Sequence, residues 1–184
     1  VIFKPYFFDH IRATLFGNKL VSGQVEGYDR IINLAESLGI GDRELAYILA
    51  TAYHETARTM RPIDEIGQGR GRPYGAPTGP FNKVYYGRGY VQLTWLTNYE
   101  KMDTKLQLKG ELVRRPELAG DPEIAAKVLV LGMRDGDFTG VALRQFIDDR
   151  KTDFVNARKV VNALDRAAEI ARIATHHANA IVHL

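Results

Sequence analysis

The chain has 184 residues, no cysteine, and a formal net charge of +3 with a pI near 9.1. That length holds one domain with a full core, and the missing thiols exclude disulfides and cysteine-ligated zinc, as suits a reducing cytoplasm. No apolar run is long enough to span a bilayer, and the mild basic excess favours an anionic polymer as partner without the concentrated stripe of a nucleic-acid binder.

The opening Val1-Ile2-Phe3-Lys4-Pro5-Tyr6-Phe7-Phe8-Asp9-His10 lacks the basic start, apolar stretch and small-residue cleavage site of a signal peptide. From Gln24 to Leu38, apolar Val25, Tyr28, Ile31, Ile32, Ala35 and Leu38 recur at helical spacing, and Gly39 stops the run. Asp42 predicts the N-cap of a second helix reaching Met60, with Leu45, Ile48, Leu49, Ala52, Tyr53 and Thr56 on one face and Pro62 behind its end. Residues 62–81 are rich in glycine and proline and read as loop.

The stretch Val84-Tyr85-Tyr86-Gly87-Arg88-Gly89-Tyr90-Val91-Gln92-Leu93-Thr94-Trp95 is aromatic and β-branched on both sides of Gly-Arg-Gly. It predicts a short hairpin or strand pair. Asp121-Pro122-Glu123 places a cap, a proline and an acid at the start of a helix that runs to Arg134 and stops at Asp135-Gly136. Further helices are expected over 140–147, 153–161 and 165–179. The sum is a mainly α (α+β) single domain over 1–184 with one small β-hairpin.

His54-Glu55 on a helix invites a zinc-protease reading, which requires histidine four positions after the first. Position 58 is Arg58, so the motif fails. Glu55 falls roughly 100° from the centre of the helix's apolar face, at the margin of its buried stripe. Ten residues on, Asp64-Glu65 opens the glycine-rich loop. A helix-borne carboxyl facing a loop-borne one across a groove is what glycoside hydrolysis needs: one acid protonates the leaving oxygen while a carboxylate activates water. Strand alternation would turn Gln92 and Thr94 to one side, an amide beside a hydroxyl for an acetamido group or a water. Tyr85, Tyr86, Tyr90 and Trp95 offer rings for sugar stacking or for the core, with two at most free for sugar.

Taken together, His54-Glu55-Thr56, the block from Tyr85 to Trp95, Asn98-Tyr99 and Arg158-Lys159-Val160-Val161-Asn162 resemble glycoside hydrolase family 19. So does the segment from Asp121 to Arg134, and the similarity covers about residues 41–174. That family comprises chitinases and phage or bacterial endolysins with a lysozyme-like fold. The resemblance implies Glu55 as general acid and Gln92 with Thr94 as the sugar- and water-positioning pair. It implies Asn98, Arg158 and Asn162 as substrate-binding polar residues, and reaction with inversion. The second acid falls by position on Glu65, with Asp64 as rival; a structural pairing of Glu65 with Arg61 or Arg70 is the competing role. Tyr86 and Trp95 are the expected sugar contacts.

The cysteine-free compact chain and its Phe7-Phe8-Asp9 opening look closest to the wall-lytic members. The expected substrate is therefore peptidoglycan, with chitin as the alternative and a non-catalytic wall-binding module ranked lower. No metal and no cofactor are expected, because His176-His177 has no carboxylate at ligand spacing. A monomer made in the cytoplasm and acting on the wall after release is expected. The last helix reads as core-packed through Ala167, Ile170, Ala171, Ala174 and Ala178, with a polar face too weakly basic for stable membrane insertion.

Overall fold

A computed structural model describes all 184 residues and is mainly α, as expected: seven α-helices, short 3-10 turns and one two-stranded antiparallel sheet. The chain forms two compact units, Val1–Met60 with Val130–Leu184, and Arg61–Leu129. No helix is long and apolar enough to cross a membrane.

The first unit contains α1 (Lys4–Leu15), α2 (Ser22–Ser37), α3 (Asp42–Glu55) and α7 (Ala167–Ala180). Helix α1 turns a short apolar stripe inward, with Phe7 and Ile11 buried and Phe8 and Leu15 half-buried, and starts on Phe3 without a side-chain cap. In α2 the predicted face is inside, with Tyr28, Ile31, Ile32 and Ala35 buried. Gly27 lies on that face because a Cβ there would come 1.9 Å from the Met60 carbonyl oxygen.

Helix α3 packs most extensively on α7, which also meets α1. The expectation of a one-sided α3 needs correcting: every residue from Leu45 to Tyr53 is buried, so this is a central helix surrounded by its neighbours. Its cap is Gly41, with Asp42 in the first turn. It also ends earlier than Met60. Arg58 N donates to the Tyr53 carbonyl (2.8 Å) and Ala57 N to that of His54 (3.2 Å), the paired bonds of a Schellman stop, with Ala57 left-handed at φ 48°. Thr56 secures it, its Oγ donating to Ala52 O (2.7 Å) and accepting from Met60 N (3.0 Å).

His177 on α7 is fully buried. Its Nδ1 lies 2.9 Å from the Ile173 carbonyl, which can only accept, so Nδ1 carries the proton and Nε2 accepts from the Tyr28 hydroxyl at 2.8 Å. The ring is a satisfied core residue. The helices expected over 140–147 and 153–161 are instead 3-10 turns, Leu143–Gln145 and Asn156–Val160. At the second, Asp153 accepts from both the backbone and the side-chain amide of Asn156 (3.0 and 2.9 Å), a local bonding pattern that competes with a regular helix.

The second unit contains β1 (Ile63–Asp64), β2 (Arg88–Gly89), α4 (Leu96–Lys105) and the short α5 (Glu111–Arg114). Helix α6 (Pro122–Asp135) has the predicted bounds, and Asp121 caps it by accepting from Glu123 N and Ile124 N (both 3.0 Å). Asp103, buried on α4, accepts from Gly110 N and Leu112 N (both 2.7 Å) and so fixes α5.

The hairpin within 84–95 is corrected. Gly-Arg-Gly is not its turn; Arg88 and Gly89 are themselves the strand, paired with Asp64 and Ile63. The chain reverses over the next residues, closed by mutual Arg88–Leu93 backbone bonds. Gly89 (φ 89°) and Gln92 (φ 54°) take the left-handed conformations that this reversal requires.

Candidate active-site residues

Glu55 is the last residue of α3, and it reaches solvent because the helix ends there rather than because it borders an apolar stripe. Its side chain is 18% exposed and accepts from Arg158 Nη1 at 2.7 Å. Arg158 is only 3% exposed; it sits on the 156–160 turn and donates its Nε to the Asp165 carbonyl (3.1 Å). Two of the residues implied by the resemblance therefore meet directly, and the guanidinium fixes the carboxylate. Asn162 is exposed, its Oδ1 accepting from Ala163 N.

About two turns before Glu55 on α3, Tyr47 is buried and stacked on Phe154 (centroids 5.9 Å apart), with its hydroxyl unpartnered. Burial raises its pKa, opposed by the charge of Arg158 and reinforced by that of Glu55.

In the second unit, Glu65 is half-buried and doubly held. Its Oε1 accepts from the Tyr74 hydroxyl (2.9 Å), its Oε2 from Gly87 N (3.0 Å), and its own N–H donates to the Gly87 carbonyl (2.7 Å). These contacts orient both oxygens and leave each a further lone pair for water. Tyr74, which the sequence hides in a loop segment, has its pKa raised by burial and then by this bond. Asp64 is exposed on β1 and has one long contact, from the Tyr86 hydroxyl at 3.3 Å.

The expectation that Gln92 and Thr94 share a strand face fails because Gln92 lies in the turn over residues 90–92 and only Leu93 bridges back, to Arg88. The left-handed Gln92 folds its amide back and donates Nε2 to the Ile63 carbonyl (3.2 Å), bracing β1. Thr94 is half-buried, and its carbonyl accepts from Asn98 Nδ2 at 2.9 Å. Asn98 thus ties the first turn of α4 to the preceding chain.

Of the four aromatics weighed for sugar, Tyr85 and Tyr90 are core, and the Tyr85 hydroxyl donates to Val113 O. Tyr86 is half-buried and Trp95 is 45% exposed. Arg88, read from the sequence as a turn residue, is buried with its guanidinium 3.5 Å from the Tyr86 ring centroid and donating to the Tyr99 hydroxyl at 2.9 Å. Trp95 meets Tyr74 edge-on (5.3 Å) beside a cavity of about 380 Å³ lined also by Pro73, Thr78 and Leu96.

No family model matches the chain, and no curated protein sequence does. Among solved structures, chitinase C from Streptomyces griseus matches with a TM-score of 0.59 at 19% identity, over 93% of this chain and 75% of that one. A mutant of chitinase C matches with a TM-score of 0.42, also at 19% identity, over 91% and 83%. At such identity the first match speaks for architecture: this chain has the fold of a chitinase, the fold that its motifs imply.

Proposed function

We propose that the chain is an inverting glycoside hydrolase acting on the β-1,4-linked N-acetylated backbone of bacterial peptidoglycan. In this reading Glu55 protonates the departing glycosidic oxygen. Glu65 takes a proton from water, whose oxygen bonds to the anomeric carbon as the glycosidic bond breaks. Thr94 positions that water, while Gln92, Asn98, Tyr86, Trp95, Arg158 and Asn162 serve the sugar directly or by holding its contacts in place. The observation that carries the reading is Glu55 itself, a largely shielded carboxyl at the end of the central helix, in a chain with the fold of a chitinase; Arg158 orients it and stabilises the carboxylate left once its proton has gone. The enzyme acts as a monomer on the wall after release from the cytoplasm.

Chitin is the second reading, favoured by the chitinase C match. Digestion of purified peptidoglycan and of chitin oligomers, followed by mass spectrometry of the products, separates the two. Glu55→Gln is expected to lower turnover by about a hundredfold or more with an unchanged melting curve. Full activity in that variant removes Glu55 from the mechanism. Glu65→Gln is expected to lower kcat more than it raises KM; the same loss confined to Asp64→Asn transfers the base to Asp64.

A further inference from the structure

On the first unit, a pocket of about 290 Å³ is lined by Leu15, Tyr53, Arg58, Glu169, Arg172 and His176, among others. Its wall is rigid: Tyr53 is buried, with its hydroxyl donating to the Leu15 carbonyl (2.9 Å), and Ile173 is buried on α7. The two arginines at its rim are only partly engaged by the protein: the charge of Arg172 bears on Glu169, and Arg58 lies over the Tyr53 ring. Glu169, its one acid, is taken by Arg166, whose Nε donates to it at 2.6 Å. Arg58 and Arg172 hold no ion pair, and Arg58 rests on the Tyr53 ring at 5.8 Å.

The backbone at Arg58 points the same way. Arg58 is left-handed at φ 70°, a conformation rare for a long side chain. Two bonds enforce it: its N–H reaches the Tyr53 carbonyl (2.8 Å), and its carbonyl accepts from Gln24 Nε2 (3.0 Å). Side chains from the stop of α3 and from α7 thus converge on one concavity in which two guanidinium forks and an imidazole outnumber the single carboxylate, Glu169, which Arg166 already engages.

We propose that this pocket binds an oxyanion group, a carboxylate or a phosphate, carried by the bacterial wall polymer. Which polymer presents the anion rests on the hydrolase reading above; the oxyanion chemistry does not. Uncharged chitin offers no such group, so occupancy here would favour peptidoglycan over chitin.

The test is an NMR titration of the full chain with muramyl dipeptide, with inorganic phosphate, and with uncharged chitobiose. Muramyl dipeptide or phosphate is expected to move the resonances of Arg58, Arg172 and His176, and chitobiose to leave them in place. Arg58→Asn, which keeps a residue tolerant of the left-handed conformation, combined with Arg172→Gln should weaken binding about tenfold or more. Arg172→Gln alone, at an exposed position of α7, should weaken it severalfold and serves if the double variant is poorly folded. Stronger shifts with phosphate assign the anion to wall phosphate, and stronger shifts with muramyl dipeptide assign it to the peptide carboxylate. The proposal is overturned if neither probe moves these resonances, or if folded variants bind as the parent does. Glu55→Gln should bind both probes normally, which separates failure of this pocket from failure of the hydrolytic reading.

Discussion

Glu55 and Glu65 are held by opposite means. A regular helix in a helical core delivers Glu55, and one buried arginine 103 positions away in sequence clamps it. Glu65 lies on irregular chain and is held by short-range partners, Tyr74 nine positions on and Gly87 twenty-two. In the first unit, tertiary packing holds Glu55, and its ion pair with Arg158 belongs to the core. In the second, turn conformations and hydrogen bonds hold Glu65, shared between two donors. Mutations should therefore be costly in the first unit and mild in the second.

The largest expected effect is set by pH in the first unit. Burial pushes the His177 pKa from 6.5 down to about 3. The unfolded chain takes up this proton near pH 6.5 and the folded chain does not, so the unfolded state binds more protons between those values. Stability should be full above pH 6.5 and fall by several kcal/mol as pH drops toward 3. Melting curves from pH 7 to pH 4 measure this, and a flat profile would break the account of the helical core.

Arg158→Met comes next. Removing a buried cation leaves Glu55 without its partner and the Asp165 carbonyl without its donor, at a cost of about 3 kcal/mol in chemical denaturation. In the second unit, Tyr74→Phe removes one of two donors to Glu65 and should cost about 1 kcal/mol. A larger loss there than for Arg158→Met would invert the comparison. The smallest effect is a gain: Tyr47→Phe deletes a buried hydroxyl that has no partner and should leave stability unchanged or raise it by about 1 kcal/mol.

The same contrast governs what the sequence discloses. Helices α2 and α6 are legible within two residues at each end, because an apolar stripe or a cap, proline and acid in order mark them. The start of α3 is legible too, but its end is not: Ala57 occupies a left-handed stop that normally advertises itself with glycine. Helix α1 has a short stripe of Phe7, Phe8, Ile11 and Leu15, but no capping side chain marks its start, so the pattern does not stand out. In the second unit the hairpin pattern is present in the residues, yet β2 finds its partner in Ile63–Asp64, a non-local pairing that alternation cannot supply. Among candidate site residues, Glu55 meets Arg158 and Trp95 is exposed, whereas the Tyr86 ring is half-buried under the Arg88 guanidinium. Tyr74 and Arg88 are not legible in the sequence because what they do depends on partners that only folding brings near.

The stop after α3 also limits which residues the chain can accept there. Ala57, Arg58 and Met60 all have positive φ, so methyl-bearing and longer side chains occupy torsions that suit glycine or asparagine. Glycine at 57 would relieve strain, whereas valine, isoleucine or threonine at any of the three would reopen the helix and carry Glu55 with it. The permitted alphabet is therefore short over this stretch, and variation beside Glu55 is restricted by backbone torsion as well as by side-chain chemistry.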